Sequence, residues 1–294
     1  MNAGFVYRER IRPAAAGVRV DAWLAARYAH STADEWRRRI AEGRVELDGA
    51  PTAPDARLRP GQELTWRRPP WIEPPVPLGF AVLAADADLL VVAKPAGLPT
   101  APAGGFLAHT LQTCVQRRFP EATPVHRLGR GTSGLVMFAR SDRARRQLAR
   151  CWREGAVERD YRALVRGDLA AALAIDVPIG SRPHPRLGRV HAADPGGRAA
   201  RTELRPLRHR DAGTVVGIAI ATGRPHQIRI HCAAAGHPLV GDPLYGTGGV
   251  PPPDATALPG DGGYLLHAIR LAFPHPADGR PVVVECAPPR ALRV

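Results

Sequence analysis

VHRLGRGTSGLVMFARS, residues 125–141, is the stretch from which the rest of the chain can be read. His126 and Arg127 stand ahead of a loop of glycine, threonine and serine that runs straight into an apolar segment. Glycines and small hydroxyls let a backbone come close to a ligand, and loops of this kind carry function more often than packing. The apolar segment, residues 134–139, has the length of a buried strand. Ser141 then offers a cap for a helix over 142–154, which Gly155 stops. Behind it, VERDYRALVRG (157–167) alternates as a strand. Arg159, Tyr161 and Ala163 therefore share one face, while Asp160 and Arg162 take the other.

Outward from this stretch the same texture continues. Strand-sized apolar runs lie at 88–93, 202–207, 214–221, 265–273 and 281–286. One further helix is readable at 225–235, with Pro225 at its first position and Gly236 after its end. Strands that do not alternate regularly with helices favour an α+β mixed sheet over a doubly wound one. TGRPHQIRIHCAAAGHPLVGDPLYG (222–246) puts Arg224, His226 and Gln227 in the first turn of that helix, with Arg229 just behind. A helix N-terminus flanked by arginines is suited to phosphate. The Gly- and Pro-rich segment 247–263 reads as a flexible surface loop without chemistry.

Toward the N-terminus, RRPPWIEPPVP (67–77) holds five prolines in eleven residues, too many for a helix or a central strand. It divides the chain into residues 1–68, a linker at 69–77, and residues 78–294. The first part predicts a helix from Val20 to Tyr28 and a second over 32–42, capped by Ser31, carrying Trp36 and Ile40 on one face. A short strand over 44–48, the turn Asp48-Gly49 and a strand over 61–66 follow. Arg37, Arg38, Arg39 and Arg44 concentrate there.

Over the 294 residues, 41 basic groups oppose 27 acidic ones, a net charge of +14. The basic set is forty arginines and one lysine, Lys94. A base composition rich in G and C accounts for arginine over lysine, but not for the excess of basic over acidic groups, which points to a polyanionic partner. With 45% apolar residues the chain can bury a core, which excludes a wholly disordered protein. No apolar run approaches the roughly 18 residues of a membrane span. The N-terminal MNAGFVYRERIRP lacks a secretory core, so a soluble, cytoplasmic protein is expected. Cys114, Cys151, Cys232 and Cys286 lie far apart and read as reduced thiols. His226 and His231 are five residues apart with no accompanying carboxylate, so no metal site is expected.

Two resemblances emerge from these strings. VRVDAWLAARY…RRRIAEGRVELDG, ending in RPGQEL, resembles the small RNA-binding module of ribosomal protein S-four. The five ordered motifs AKPAGLPT (93–100), residues 125–141, residues 157–167, residues 222–246 and LLHAIRLAFPHP (265–276) resemble the RluA-like family of RNA pseudouridine synthases. That likeness implies a mixed, largely antiparallel sheet flanked by helices and crossed by an RNA-binding cleft. It implies isomerisation of uridine in structured RNA, ribosomal or transfer, by a monomer without cofactor. The tyrosine matching Tyr161 stacks on the uracil and the arginine matching Arg229 pairs with a catalytic carboxylate. Arg127 helps hold the flipped nucleotide or its empty place, and His126, Thr132, Ser133, Arg224, His226 and Gln227 complete the cleft. The family's carboxylate is the Asp of H-R-L-D-x-x-T-S-G; here that place is Gly129, which has no side chain to react. Glu121, Asp142, Asp160 and Asp242 are the carboxylates the sequence offers instead, none well placed. The alternative is a non-catalytic RNA-binding protein, a chaperone or ribosome-assembly factor, that keeps the cleft.

Overall fold

The structure, a computed structural model, describes residues 1–28 and 30–294. The chain forms two compact units, Met1–Glu73 and Pro74–Val294, so the division falls within the proline-rich 69–77 segment.

In the first unit β1 (Phe5–Arg10), β2 (Val45–Leu47), β3 (Ala50–Pro51) and β4 (Glu63–Arg68) form an antiparallel sheet in the order β1-β4-β2-β3. Two helices, α1 (Val20–Arg27) and α2 (Ala33–Ala41), lie against it. Asp48 and Gly49 both have positive φ, 50° and 80°, the pairing a tight hairpin turn needs. The cap of α2 is Thr32, not Ser31: Thr32 and Glu35 exchange side-chain and backbone hydrogen bonds in a capping box. Val20, Leu24, Trp36, Ile40, Leu64 and Trp66 fill the core, with the Trp36 and Trp66 rings edge to face at 4.7 Å.

The second unit carries β5 (Ala81–Ala85), β6 (Leu89–Lys94), α3 (Leu111–Gln116), β7 (Thr123–Pro124), β8 (Ser133–Ala139), α4 (Asp142–Arg153) and β9 (Glu158–Val165). After these come β10 (Leu173–Ile175), β11 (Ile179–His184), β12 (Gly188–Ala193), β13 (Thr202–Arg210), β14 (Gly213–Ile220), α5 (Gln227–Ala234), β15 (Leu266–Pro274) and β16 (Pro281–Glu285). Ten strands make one sheet, ordered β10-β13-β14-β9-β15-β8-β6-β5, with β16 added to β15 and β7 to β8. All pairings are antiparallel except β15 with β8, so the sheet is mixed and largely antiparallel in an α+β fold. β11 and β12 form a separate hairpin.

The 125–141 stretch supplies the centre. All seven residues of β8 are buried: β6, β7 and β15 pair along its edges, and it shares one core with α4. Gly134 pairs with Ala268 and has φ +108°, and a Cβ there would collide with the Ala268 backbone. Only glycine lets β8 and β15 approach this closely. Ser141 caps α4 by accepting from Ala144 N–H, and Ala144, Leu148 and Cys151 face the core. The second helix departs from the sequence reading. Pro225 lies in a turn, and α5 starts at Gln227 behind His226, which sits at φ 56°.

Candidate active site

Three of the sequence motifs converge on one face of the central sheet. Tyr161 on β9 is paired with Ile218 of β14 and Ala268 of β15. Ala268 is in turn paired with Gly134, so these four residues line one face. Tyr161 is buried among apolar neighbours, and burial pushes its phenol pKa up. It therefore stays a neutral ring over the physiological range, suited to stacking. Arg159, two residues earlier on the same face, lies over the Trp152 ring at 5.1 Å. His126 stacks on the other partner of that cluster: its ring is 4.5 Å from Trp152 and nearly parallel, at 19°.

His126 is a clamp. Its Nε2 accepts the Met137 backbone N–H at 3.0 Å, which fixes the proton on Nδ1 and ties the motif to β8. Burial, with Arg159 adding repulsion, lowers its pKa to about 3. The following turn is held from outside by the 93–100 segment. The Lys94 ammonium, buried, donates to the carbonyls of Pro95, Leu98 and Arg130 at 2.9, 2.7 and 3.3 Å. Three carbonyls match its three N–H groups, although burial lowers its pKa to about 7. Thr100 Oγ1 both donates to Leu128 O and accepts Leu128 N–H. Arg127 and Gly129 are exposed on this braced turn.

The structure gives two predicted site residues other work. Ser133 pairs with His267, which pairs in turn with Arg162, so it faces the side of the sheet opposite Tyr161, where its hydroxyl meets His267 Nδ1 at 2.9 Å. Gln227 is consumed by the fold: its Oε1 accepts from Thr222 Oγ1 and Arg224 N–H, and its Nε2 donates to Arg201 O and Thr202 Oγ1. Thr132 closes the turn on Gly129 O and lies 3.4 Å from Tyr264 Oη. His226 meets Tyr245 Oη at 2.8 Å, and that hydroxyl already donates to His191 O. His226 Nδ1 must therefore carry a proton, leaving Nε2 as an acceptor. Burial and the Arg229 cation lower its pKa to about 4. Arg224 is partly exposed, and its side chain donates through Nε to Ala199 O.

Arg229 already has a carboxylate. Its Nε and Nη2 reach Asp242 at 2.6 and 2.8 Å, and both side chains are almost fully enclosed, 3% and 1% exposed. Asp242 also accepts the Leu244 and Tyr245 N–H groups, and these bonds hold its pKa below the usual range against the cost of burial. Tyr245 and Tyr264 cover the guanidinium, 4.9 and 4.4 Å from its centre, and Nη1 donates to Pro259 O. The 247–263 segment is thus tied to the motifs rather than loose. Arg130 donates to Gly260 O and pairs with Asp261 at 2.8 Å, and Gly131 packs directly on Gly262.

The family model for RNA pseudouridylate synthases matches residues 88–234. An uncharacterised RNA pseudouridine synthase of Synechocystis is 44% identical, over 85% of this chain and 87% of that protein. The ribosomal large subunit pseudouridine synthase D of Neisseria meningitidis is 34% identical, over 94% and 77%. The chain belongs to the RluA-like family of RNA pseudouridine synthases. The solved structure of human RNA pseudouridylate synthase domain containing 1 agrees in fold, with a TM-score of 0.57 at 28% identity over 76% of this chain and 89% of that one.

The protein is accordingly an RNA-modifying isomerase. Among the described residues no cluster of three His, Cys, Asp or Glu side chains could hold a metal, and no helix is long and apolar enough to cross a membrane. The four cysteines are free and buried. For this pseudouridine synthase, sequence reasoning did not single out Asp261, Tyr264 or Trp152, and it named Arg159 and Lys94 without the contacts the structure gives them. Asp261 carried no local signal, since only folding brings its loop to the 126–134 motif. Lys94 did carry one, as the single lysine among forty arginines. In the first unit, Arg38 and Arg44 pair with exposed Glu42. Arg37 is bound to buried Asp21, and Arg39 lies over the Trp36 ring at 4.6 Å.

Proposed function

We propose that the substrate is a uridine in a structured ribosomal or transfer RNA, that it flips onto Tyr161, and that Asp261 supplies the carboxylate that Gly129 cannot. The isomerisation breaks the bond from the sugar's carbon 1′ to N1, turns the uracil, and joins carbon 1′ to carbon 5. The hydrogen lost from carbon 5 is matched by the one gained at N1, so no cofactor is required. A carboxylate is needed to open the glycosidic bond, and a base to take the carbon 5 proton.

One observation carries the assignment: the Asp261 carboxylate stands beside the exposed Gly129 turn, its Oδ1 on Arg130 at 2.8 Å and its Oδ2 accepting the Leu258 N–H, with the side chain still 37% exposed. Its rivals are enclosed or lie elsewhere. Asp242 is spent on Arg229 and two backbone N–H groups, and Asp160 pairs with Arg270 on the face away from Tyr161. Glu121 pairs with Arg140, and Asp142 with Arg145 at the start of α4. Ribosomal RNA is supported by the relative named for the large ribosomal subunit. The first unit, read as an S-four-type module, adds grip through its exposed arginines.

Release of tritium from RNA labelled at carbon 5 of uridine tests this with the purified full chain. The wild type releases tritium, and Asp261→Asn slows release by about 10²-fold or more without weakening RNA binding. No release by the wild type, or full release by Asp261→Asn, overturns the proposal.

A further inference from the structure

Arg159 is a buried cation with no counter-ion among the described residues. Its side chain is among the buried polar groups, 9% exposed, yet among the described residues no carboxylate pairs with it. Two long contacts, to Ile220 O and Ala221 O at 3.3 and 3.4 Å, are its hydrogen bonds, and its buried Nε has no partner. Burying a charge this way is costly unless a counter-charge arrives. Evolution of a folded core alone would favour an apolar side chain here.

The guanidinium has an open end at Nη1. Among the described residues Nη1 makes no hydrogen bond, and it lies beside Gly223, where an added Cβ would come within 3.0 Å of it. Gly223 is exposed and its φ is unexceptional, so the missing side chain serves space rather than backbone freedom. The outlet sits between the three motifs: His126 feels the cation from one side, Tyr161 follows two residues on along β9, and Gly223 belongs to the turn before α5.

We infer that Arg159, reached past Gly223, binds a backbone phosphate of the nucleotide whose base lies on Tyr161. This rests on the uridine-binding reading above. The phosphodiester completes the charge that the free protein leaves unpaired, so Arg159 is a positioning residue that ties base stacking to backbone capture.

The test uses the full chain, a labelled single-stranded oligouridine, and the same oligomer with uncharged methylphosphonate linkages. Removing one phosphate contact lowers the slope of log affinity against log salt by about 0.7 for a single strand. Arg159→Met is expected to lose that slope on the charged oligomer, to match the wild type on the uncharged one, and to melt no lower than the wild type. Arg159→Lys keeps the slope. Gly223→Ala, which closes the outlet, weakens binding of the charged oligomer at unchanged melting temperature. A lower melting temperature for Arg159→Met with an unchanged slope would show a structural arginine and overturn the inference. So would an equal loss on both oligomers. Because binding is read without turnover, a chain that binds as expected but forms no pseudouridine would sink the proposed function and leave this inference standing.

Discussion

At Gly129 the backbone is ordinary and a Cβ would meet only Tyr264 Oη at 3.2 Å and Thr132 Oγ1 at 3.6 Å. An aspartate therefore fits there with a small shift of one phenol. Gly129→Asp should fold like the wild type and restore tritium release to Asp261→Asn, a rescue measurable in one assay. Its neighbour differs: a Cβ on Gly131 would come within 2.8 Å of Gly262 and 2.9 Å of the Tyr264 ring. The Arg229–Asp242 pair makes a sharper demand. Asp242→Asn leaves an enclosed guanidinium without its counter-charge and should cost about 3–5 kcal/mol in urea unfolding. Two histidines set the acid limit. His126 and His226 have folded pKa values of about 3 and 4, below the usual 6.5. Between those values the unfolded chain binds more protons, so stability is full above pH 6.5 and is lost as the pH falls. Each group contributes a slope of at most about 1.4 kcal/mol per pH unit. Urea midpoints at pH 7 and pH 4.5 should differ accordingly, and a midpoint unchanged at pH 4.5 would contradict the two assignments. Roles at this scale were only partly legible. Tyr161 and Arg229 were named from motif strings, whereas Ser133 and Gln227 looked available until register and hydrogen bonds showed where they are spent.

Among the elements, the ones with strong periodicity were read correctly: β8, β9, β14, β15 and α4 lie within a residue or two of their expected bounds. The shortfalls have physical causes. β1 (FVYRER) and the β11–β12 hairpin (IGSRPH, GRVHAA) are largely polar or exposed, so no apolar run announced them. Their strand character comes from pairing with β4 and with each other. For α5, Pro225 imitated a first helical position, but the Gln227 side chain locks residues 222–224 into a turn and delays the helix. The 247–263 loop shows the same limit, since composition cannot reveal a tether to Arg130 and Arg229. The β8–β15 seam provides the test at this scale. Gly134→Ala forces a Cβ into the Ala268 backbone and a disfavoured φ, and should abolish soluble folded protein or lower its melting temperature by many degrees. A Gly134→Ala chain as stable as the wild type would mean the seam is looser than described.

The whole molecule joins an arginine-rich unit of Met1–Glu73 to a sheet domain of Pro74–Val294 under a net charge of +14. Composition alone announced a polyanionic partner, and the proline-rich segment marked where the chain divides. What composition could not convey is that much of this charge is already paired internally, as with Arg37 on Asp21 or Arg201 on Asp176 and Glu203. RNA affinity should still fall steeply between 50 and 200 mM salt, by about 10³-fold or more if six or more phosphates are contacted, a dependence read by titration at several salt concentrations. The reaction itself is most directly tested in cells. Pseudouridine is mapped across all RNA in a strain lacking this gene and in strains restored with the wild type or with Asp261→Asn. The account predicts a site that disappears on deletion, returns with the wild type and stays absent with Asp261→Asn. A map unchanged by deletion, or a site fully restored by Asp261→Asn, would contradict it.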